Sequence, residues 1–241
     1  MSTGRTRTPA TDPVLLSNDA RLALVSCDEA SRIFLRSAIQ VPAVLPTTCT
    51  VAPGMRVALT GPSGSGKSTL LHLLAGLETP TSGTVSWPGL GGPPHDRPGV
   101  VGLVFQGPSL IPALDVVENI TLPLLLAGVE ERDAVEHSCA APDRLALGGL
   151  ARKRPEEISG GEAKRVAIAR VLASAPPLIL ADEPTGQLDH ATGARVLTVL
   201  LEAADELDAA LIVTTHDEQA AQRFALRWRM TDGRLHTEGT S

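Results

Sequence analysis

Tyrosine is absent from the sequence, and aromatic side chains make up only 2% of it, as three Phe and two Trp. A site that needs a ring to stack on a planar ligand therefore has few candidates. Lysine is scarce as well: Lys67, Lys153 and Lys164 are the whole complement. The formal net charge of −6 argues against a chain that binds nucleic acid through a general basic excess. No run approaches the roughly 18 uninterrupted apolar residues of a membrane-crossing helix. The cysteines, Cys27, Cys49 and Cys139, are odd in number and scattered. They show neither metal-ligand spacing nor a disulfide framework, and they fit reduced thiols.

What is present suffices for a sizeable core. Hydrophobic residues are 43% of 241, which suits one large domain or a domain with a small subdomain. Met1 to Asn18 is rich in Ser, Thr, Pro and Arg and lacks the apolar centre of a secretory signal. It reads as a disordered tail over residues 1–20.

Short strands are expected at Arg21–Cys27, Val41–Val51, Met55–Thr60, Gly83–Trp87, Val100–Phe105, Leu178–Ala181, Ala210–Thr214 and Leu226–Met230. Helical spacing marks Lys67–Leu77, Asp115–Ala127, Arg132–Leu147, Glu162–Ser174, Ala191–Leu207 and Glu218–Phe224, with Pro123 and Pro142 as interruptions. Trp87–Pro98 is dense in Pro and Gly and reads as a loop. The alternation of strand and helix indicates an α/β fold with a mainly parallel sheet. A helix-rich stretch at about 108–172 breaks the alternation and reads as an inserted subdomain, within a domain spanning 21–236 and followed by a short tail at 237–241.

Gly61-Pro62-Ser63-Gly64-Ser65-Gly66-Lys67-Ser68-Thr69 fits G-x-x-x-x-G-K-[ST], with a strand before it and a helix after it. Glycines let the backbone turn tightly and aim several N–H groups at one anion, and the helix N-terminus adds its positive dipole end. Lys67 would reach the β- and γ-phosphates, and the Ser68 hydroxyl would ligate Mg²⁺. Leu178-Ile-Leu-Ala-Asp182-Glu183 is an apolar strand that delivers two carboxylates at its C-terminal end, where open α/β sheets place their sites. Asp182 would hold Mg²⁺, and Glu183 would orient or deprotonate the attacking water. Alone, such a pair is as easily a solvated loop charge. Ser159-Gly160-Gly161-Glu162 opens a helix and offers a second anion site, although in isolation a plain N-cap and turn is the favoured reading.

In this order the motifs resemble the nucleotide-binding domain of ATP-binding-cassette (ABC) proteins, from about Arg21 to Gly233. Gln106 matches the Q-loop glutamine, Ser159–Glu162 the signature, Asp182 and Glu183 the Walker B pair, Asp189 the D-loop and His216 the switch histidine. The resemblance implies a P-loop ATPase core with an N-terminal antiparallel β part and an inserted helical subdomain. It implies ATP and Mg²⁺ as ligands, with Gln106 sensing Mg²⁺ and γ-phosphate and His216 contacting the γ-phosphate. It further implies a head-to-tail pair, with itself or with a second nucleotide-binding subunit, in which each signature caps the ATP held by the other protomer. An integral membrane permease would be the partner, with the chain peripheral on the cytoplasmic face of the membrane and no nucleic acid involved.

Two departures stand out. The signature's fourth residue is Glu162 rather than the commoner Gln, a carboxylate near the partner's nucleotide. Phe34 lies where a stacking Tyr is usual; it is either the adenine platform or a core residue. Leu110–Ile120, Leu122–Gly128 and Pro184–Asp189 resemble the macrolide-export and lipoprotein-release branch. Val104–Pro123 would then grip the permease, or serve as subdomain core. The alternative is a mechanotransmitter of the cell-division branch. Members acting on DNA carry long coiled coils between the motifs, and those acting on ribosomes usually carry two cassettes; this chain has neither.

Overall fold

The computed structural model describes residues 23–107, 109–135, 145 and 147–238. The expected tail at 1–20, Cys139, Pro142 and most of the Arg132–Leu147 helix lie outside them, and 131–135 are helical. The strands are β1 (Val25–Arg36), β2 (Ile39–Val51), β3 (Arg56–Thr60), β4 (Ser82–Ser86), β5 (Val101–Val104), β6 (Leu178–Asp182), β7 (Ala210–Thr214), β8 (Leu226–Thr231) and β9 (Arg234–Glu238). The helices are α1 (Lys67–Leu74), α2 (Val116–Leu126), α3 (Gly160–Ala173), α4 (His190–Glu206) and α5 (Glu218–Ala221).

A six-stranded sheet runs β5-β6-β7-β3-β8-β9, parallel except for β9, and an antiparallel sheet runs β2-β1-β4. Every residue of β6 and β7 is buried, as expected of parallel strands covered on both faces. Their side chains alternate between two cores. Ile179, Ala181, Leu211 and Val213 face Ile168 of α3 and Leu197 and Leu200 of α4. Leu178, Leu180, Ala210 and Ile212 face Leu70, Leu71 and Leu74 of α1 and Val25 and Val51 of the antiparallel sheet.

The departures from sequence expectation have local causes. β1 runs on to Arg36 because bulges between Cys27 and Ile33 absorb its broken polar–apolar alternation. α1 stops at Leu74 rather than Leu77, since Gly76 follows with φ 70°. α2 continues through Pro123 despite the helix-breaking cost of about 3 kcal/mol. The Asp115–Glu118 capping box and the buried Val116, Ile120 and Leu124 hold it. Two 3-10 turns, Pro88–Leu90 and Pro94–Asp96, order the loop. α5 is a single turn that ends before Phe224. β9 was not anticipated: Asp232-Gly233 closes a hairpin with β8, and 237–238 fall in that strand rather than in a tail. Cys27 and Cys49, far apart in sequence, sit opposite one another across β1 and β2 as buried free thiols. The Cys27 contact and burial push the Cys49 thiol well above its ordinary range.

Candidate ATP-binding site

β5, β6, β7 and β3 are neighbours and parallel, so their C-terminal ends form one edge. Leu59 of β3 and Asp182 of β6 both pair with Thr214 of β7. The Gly61–Thr69 loop, Gln106, Glu183 and His216 leave the sheet at this edge, at the positions where open α/β folds bind ligands.

The loop is held by close backbone approach. A Cβ on Gly61 would collide with the Met230 carbonyl, and one on Gly66 with the Ala43 carbonyl; both glycines have positive φ. Gly66 caps α1 without any side-chain hydrogen bond, leaving the helix's first N–H groups for an anion. Ser65 Oγ is buried and lacks a hydrogen-bond partner among the described residues. Pro62, Ser63, Gly64 and Ser68 are exposed along the loop, and Thr69 is half-buried. Lys67 is buried, and its Nζ donates to the carbonyls of Gly61 and Pro62 at 2.9 Å each. An uncapped helix end, an orphaned hydroxyl and a poised ammonium fit a phosphate chain. Ser68, Asp182 and Gln106 supply the hard oxygen donors that suit Mg²⁺.

Asp182 is 5% exposed and accepts a 2.6 Å bond from Thr214 Oγ1. The Glu183 N–H donates to the same Thr214 oxygen at 2.8 Å. Glu183 has φ 45°, an uncommon conformation for a residue with a side chain. Its carboxylate accepts from Gln106 Nε2 at 3.2 Å and lies 3.6 Å from His216 Nδ1. Three residues from three different loops thus converge on one point. Thr214 was not singled out from sequence, because its contacts with Asp182 and Glu183 depend on strand register.

The remaining candidates lie in other parts of the fold. Phe34 is half-buried on β1, belongs to neither core cluster, and has the Arg32 guanidinium 4.7 Å from its ring centroid. Asp189 caps α4, accepting from the Thr192 N–H, and hydrogen bonds from the Thr192 side chain and backbone hold its carboxyl below the usual range. Ser159 and Glu162 form a capping box on α3. The Glu162 carboxylate accepts from the Ser159 N–H and hydroxyl at 2.8 Å each. The fourth signature residue is therefore turned onto its own helix cap, and the S-x-x-E spacing was legible evidence for this.

The Ser159 backbone and side-chain bonds hold the Glu162 carboxyl below the ordinary carboxylate range. A depressed folded value stabilises above the unfolded pKa of about 4.3 and ceases to do so as pH falls through the folded value. Glu162→Gln is expected to lower Tm by about 1–2 °C at pH 7, with the difference shrinking as pH falls below about 4. Thermal melts of both proteins across this range check it; a gap independent of pH would exclude the charge as the cause.

This edge, with its glycine-rich loop and paired carboxylates, defines a P-loop ATP-binding protein. The ABC transporter family model matches residues 45–186. A lipoprotein-releasing system ATP-binding protein of Hydrogenovibrio crunogenus is 44% identical over 185 residues, 74% of this chain and 80% of that one. Its counterpart in Shewanella denitrificans is 36% identical over 228 residues, 92% and 98% of the two chains. A dimeric ATP-binding cassette bound to ADP and Pi, in a post-hydrolysis state, superposes with a TM-score of 0.82. That likeness is at 30% identity and covers 90% of this chain and all of the other. The chain belongs to the ABC transporter family, as an ATP-binding and ATP-hydrolysing subunit.

Proposed function

We propose that the chain energises a membrane permease of the lipoprotein-release or export kind, working as a head-to-tail pair of nucleotide-binding subunits on the cytoplasmic face of the membrane. The observation that carries this reading is a groove of about 340 Å³ beside the ATP site, lined by Leu77, Pro94, Phe105, Pro123 and Arg170. Leu77 is 59% exposed there, and Phe105, next in sequence to Gln106, rests on His72 of α1 at 6.2 Å between ring centroids. A cytoplasmic helix of the permease seated in this groove would press on the loop that holds Gln106. The names of the relatives support lipoprotein as the cargo. Among the described residues no helix is long and apolar enough to cross a membrane.

At the site, Lys67 binds the β- and γ-phosphates through charge-assisted bonds. Ser68, Asp182 and Gln106 would hold Mg²⁺, which would supply positive charge against the phosphates. Glu183 orients the attacking water and takes its proton, and His216 contacts the γ-phosphate beside it. Phe34 offers one ring face to adenine, the other being engaged by Arg32. The Asp189 loop lies along the pair interface, and the helical segment within 108–172 carries the permease contact. Ser159–Glu162 caps the ATP of the other protomer. In support, a Cβ on Gly160 would meet nothing within 4 Å among the described residues beyond its own helix, and its φ is not positive.

Leu77→Asp should abolish recovery of a multi-span membrane protein when the tagged chain is purified from detergent extracts, with ATP affinity unchanged. If the wild-type chain recovers no integral membrane protein, the permease reading fails.

A further inference from the structure

α3 buries Ala163, Val166, Ala167, Ile168, Ala169 and Val171, and among them one cation, Lys164. Lys164 is 4% exposed. Its Nζ donates to the Glu183 carbonyl at 2.8 Å and to the Gly186 carbonyl at 2.9 Å. Both acceptors belong to the turn that carries the catalytic carboxylate, a turn also closed by the Gly186 N–H donating to the Glu183 carbonyl at 3.0 Å. Burial lowers the Lys164 pKa, while the nearby Glu183 and Asp182 carboxylates oppose that shift.

A buried ammonium is costly unless it is well hydrogen-bonded, and an apolar side chain would fill the same slot without that cost. The two bonds to this turn are the specific return. Glu183 sits at φ 45°, and a strained residue stays there only when its surroundings hold it. Its N–H is held by Thr214 and its carbonyl by Lys164. The backbone of Glu183 is thus fixed from β7 on one side and from α3 on the other.

We propose that Lys164 is a positioning residue for ATP hydrolysis: it holds the Glu183 turn so that the carboxylate points at the attacking water. It also ties that turn to the helix opened by Ser159–Glu162. Lys164 follows Gly160 by one helical turn, so a shift of the α3 N-terminus on meeting a nucleotide reaches Glu183 through two hydrogen bonds. The two half-sites carried by one chain are thereby mechanically joined. This proposal rests on Glu183 being the base.

The test is steady-state MgATP turnover of the full chain with Lys164→Met, Lys164→Gln and Glu183→Gln, alongside ATP affinity and Tm. Lys164→Met should lower kcat about tenfold or more with KM and ATP Kd within twofold of wild type. Lys164→Gln keeps an N–H donor of shorter reach and should lose about threefold to tenfold, a partial rescue that simple filling of the slot would not produce. A kcat within twofold of wild type in either folded variant overturns the proposal. So does an equal loss in both variants, or a rise of Kd in step with the fall of kcat. If Glu183→Gln turns over normally, the base assignment itself has failed. If it is inactive while the Lys164 variants match wild type, the role of Lys164 alone is lost.

Discussion

Glu183→Gln is expected to lower ATP turnover by about three orders of magnitude while leaving ATP affinity within a few-fold of wild type. The amide matches the carboxylate in size, and the contacts that hold residue 183 are largely to its backbone: Thr214 at the N–H, Lys164 and Gly186 at the carbonyl. The turn should therefore survive the change. What disappears is the carboxylate oxygen between Gln106 and His216, the group proposed above to take a proton from water. The phosphate loop is untouched, so ATP should still bind, and on the head-to-tail pairing proposed above the pair should still form. Cleavage would be what reopens such a pair, so size-exclusion chromatography with ATP should show a stable dimer. Turnover at the wild-type rate would falsify the assignment.

The features legible in the sequence are those written in short contiguous strings. Gly61–Thr69 states its own geometry, because the glycines, the lysine and the flanking strand and helix are adjacent in the chain. Leu178–Asp182 states its burial in the same way, since a strand covered on both faces is apolar throughout. The features that were not legible depend on distant partners. Lys164 bonds carbonyls 19 and 22 residues away, and Thr214 reaches Asp182 across 32. In the sequence Lys164 was only one of three lysines. Its position inside an apolar helix face was the available signal, and its acceptors needed the fold. The Cys27–Cys49 pairing belongs to the same class, since only the register of β1 and β2 brings the thiols together. Glu162 is different: its spacing from Ser159 is by itself sufficient to predict a capping box, and the carboxylate does lie on the Ser159 cap.

The second large effect is expected at Gly160. Glycine is usually required by positive φ or by crowding, and neither applies here among the described residues. Gly160 is the first residue of α3, exposed, with open space where a side chain would project. Substitution should therefore leave the fold intact. Aspartate at this position favours the helix, because a negative charge in the first turn complements the dipole. Gly160→Asp should keep or slightly raise Tm and bind ATP in the monomer as wild type does. In the proposed head-to-tail pair, however, the new carboxylate would face the γ-phosphate of the other protomer and occupy the space that phosphate needs. Turnover is expected to fall about a hundredfold or more, and ATP-driven dimers should be lost. Gly160→Ala adds only a methyl group and should fall between the two. A loss graded with side-chain size and charge, at a position open to solvent among the described residues, identifies an external group as what the glycine accommodates. Turnover of Gly160→Asp near the wild-type level would mean that α3 does not meet a nucleotide, and the phosphate loop would then be a complete site by itself.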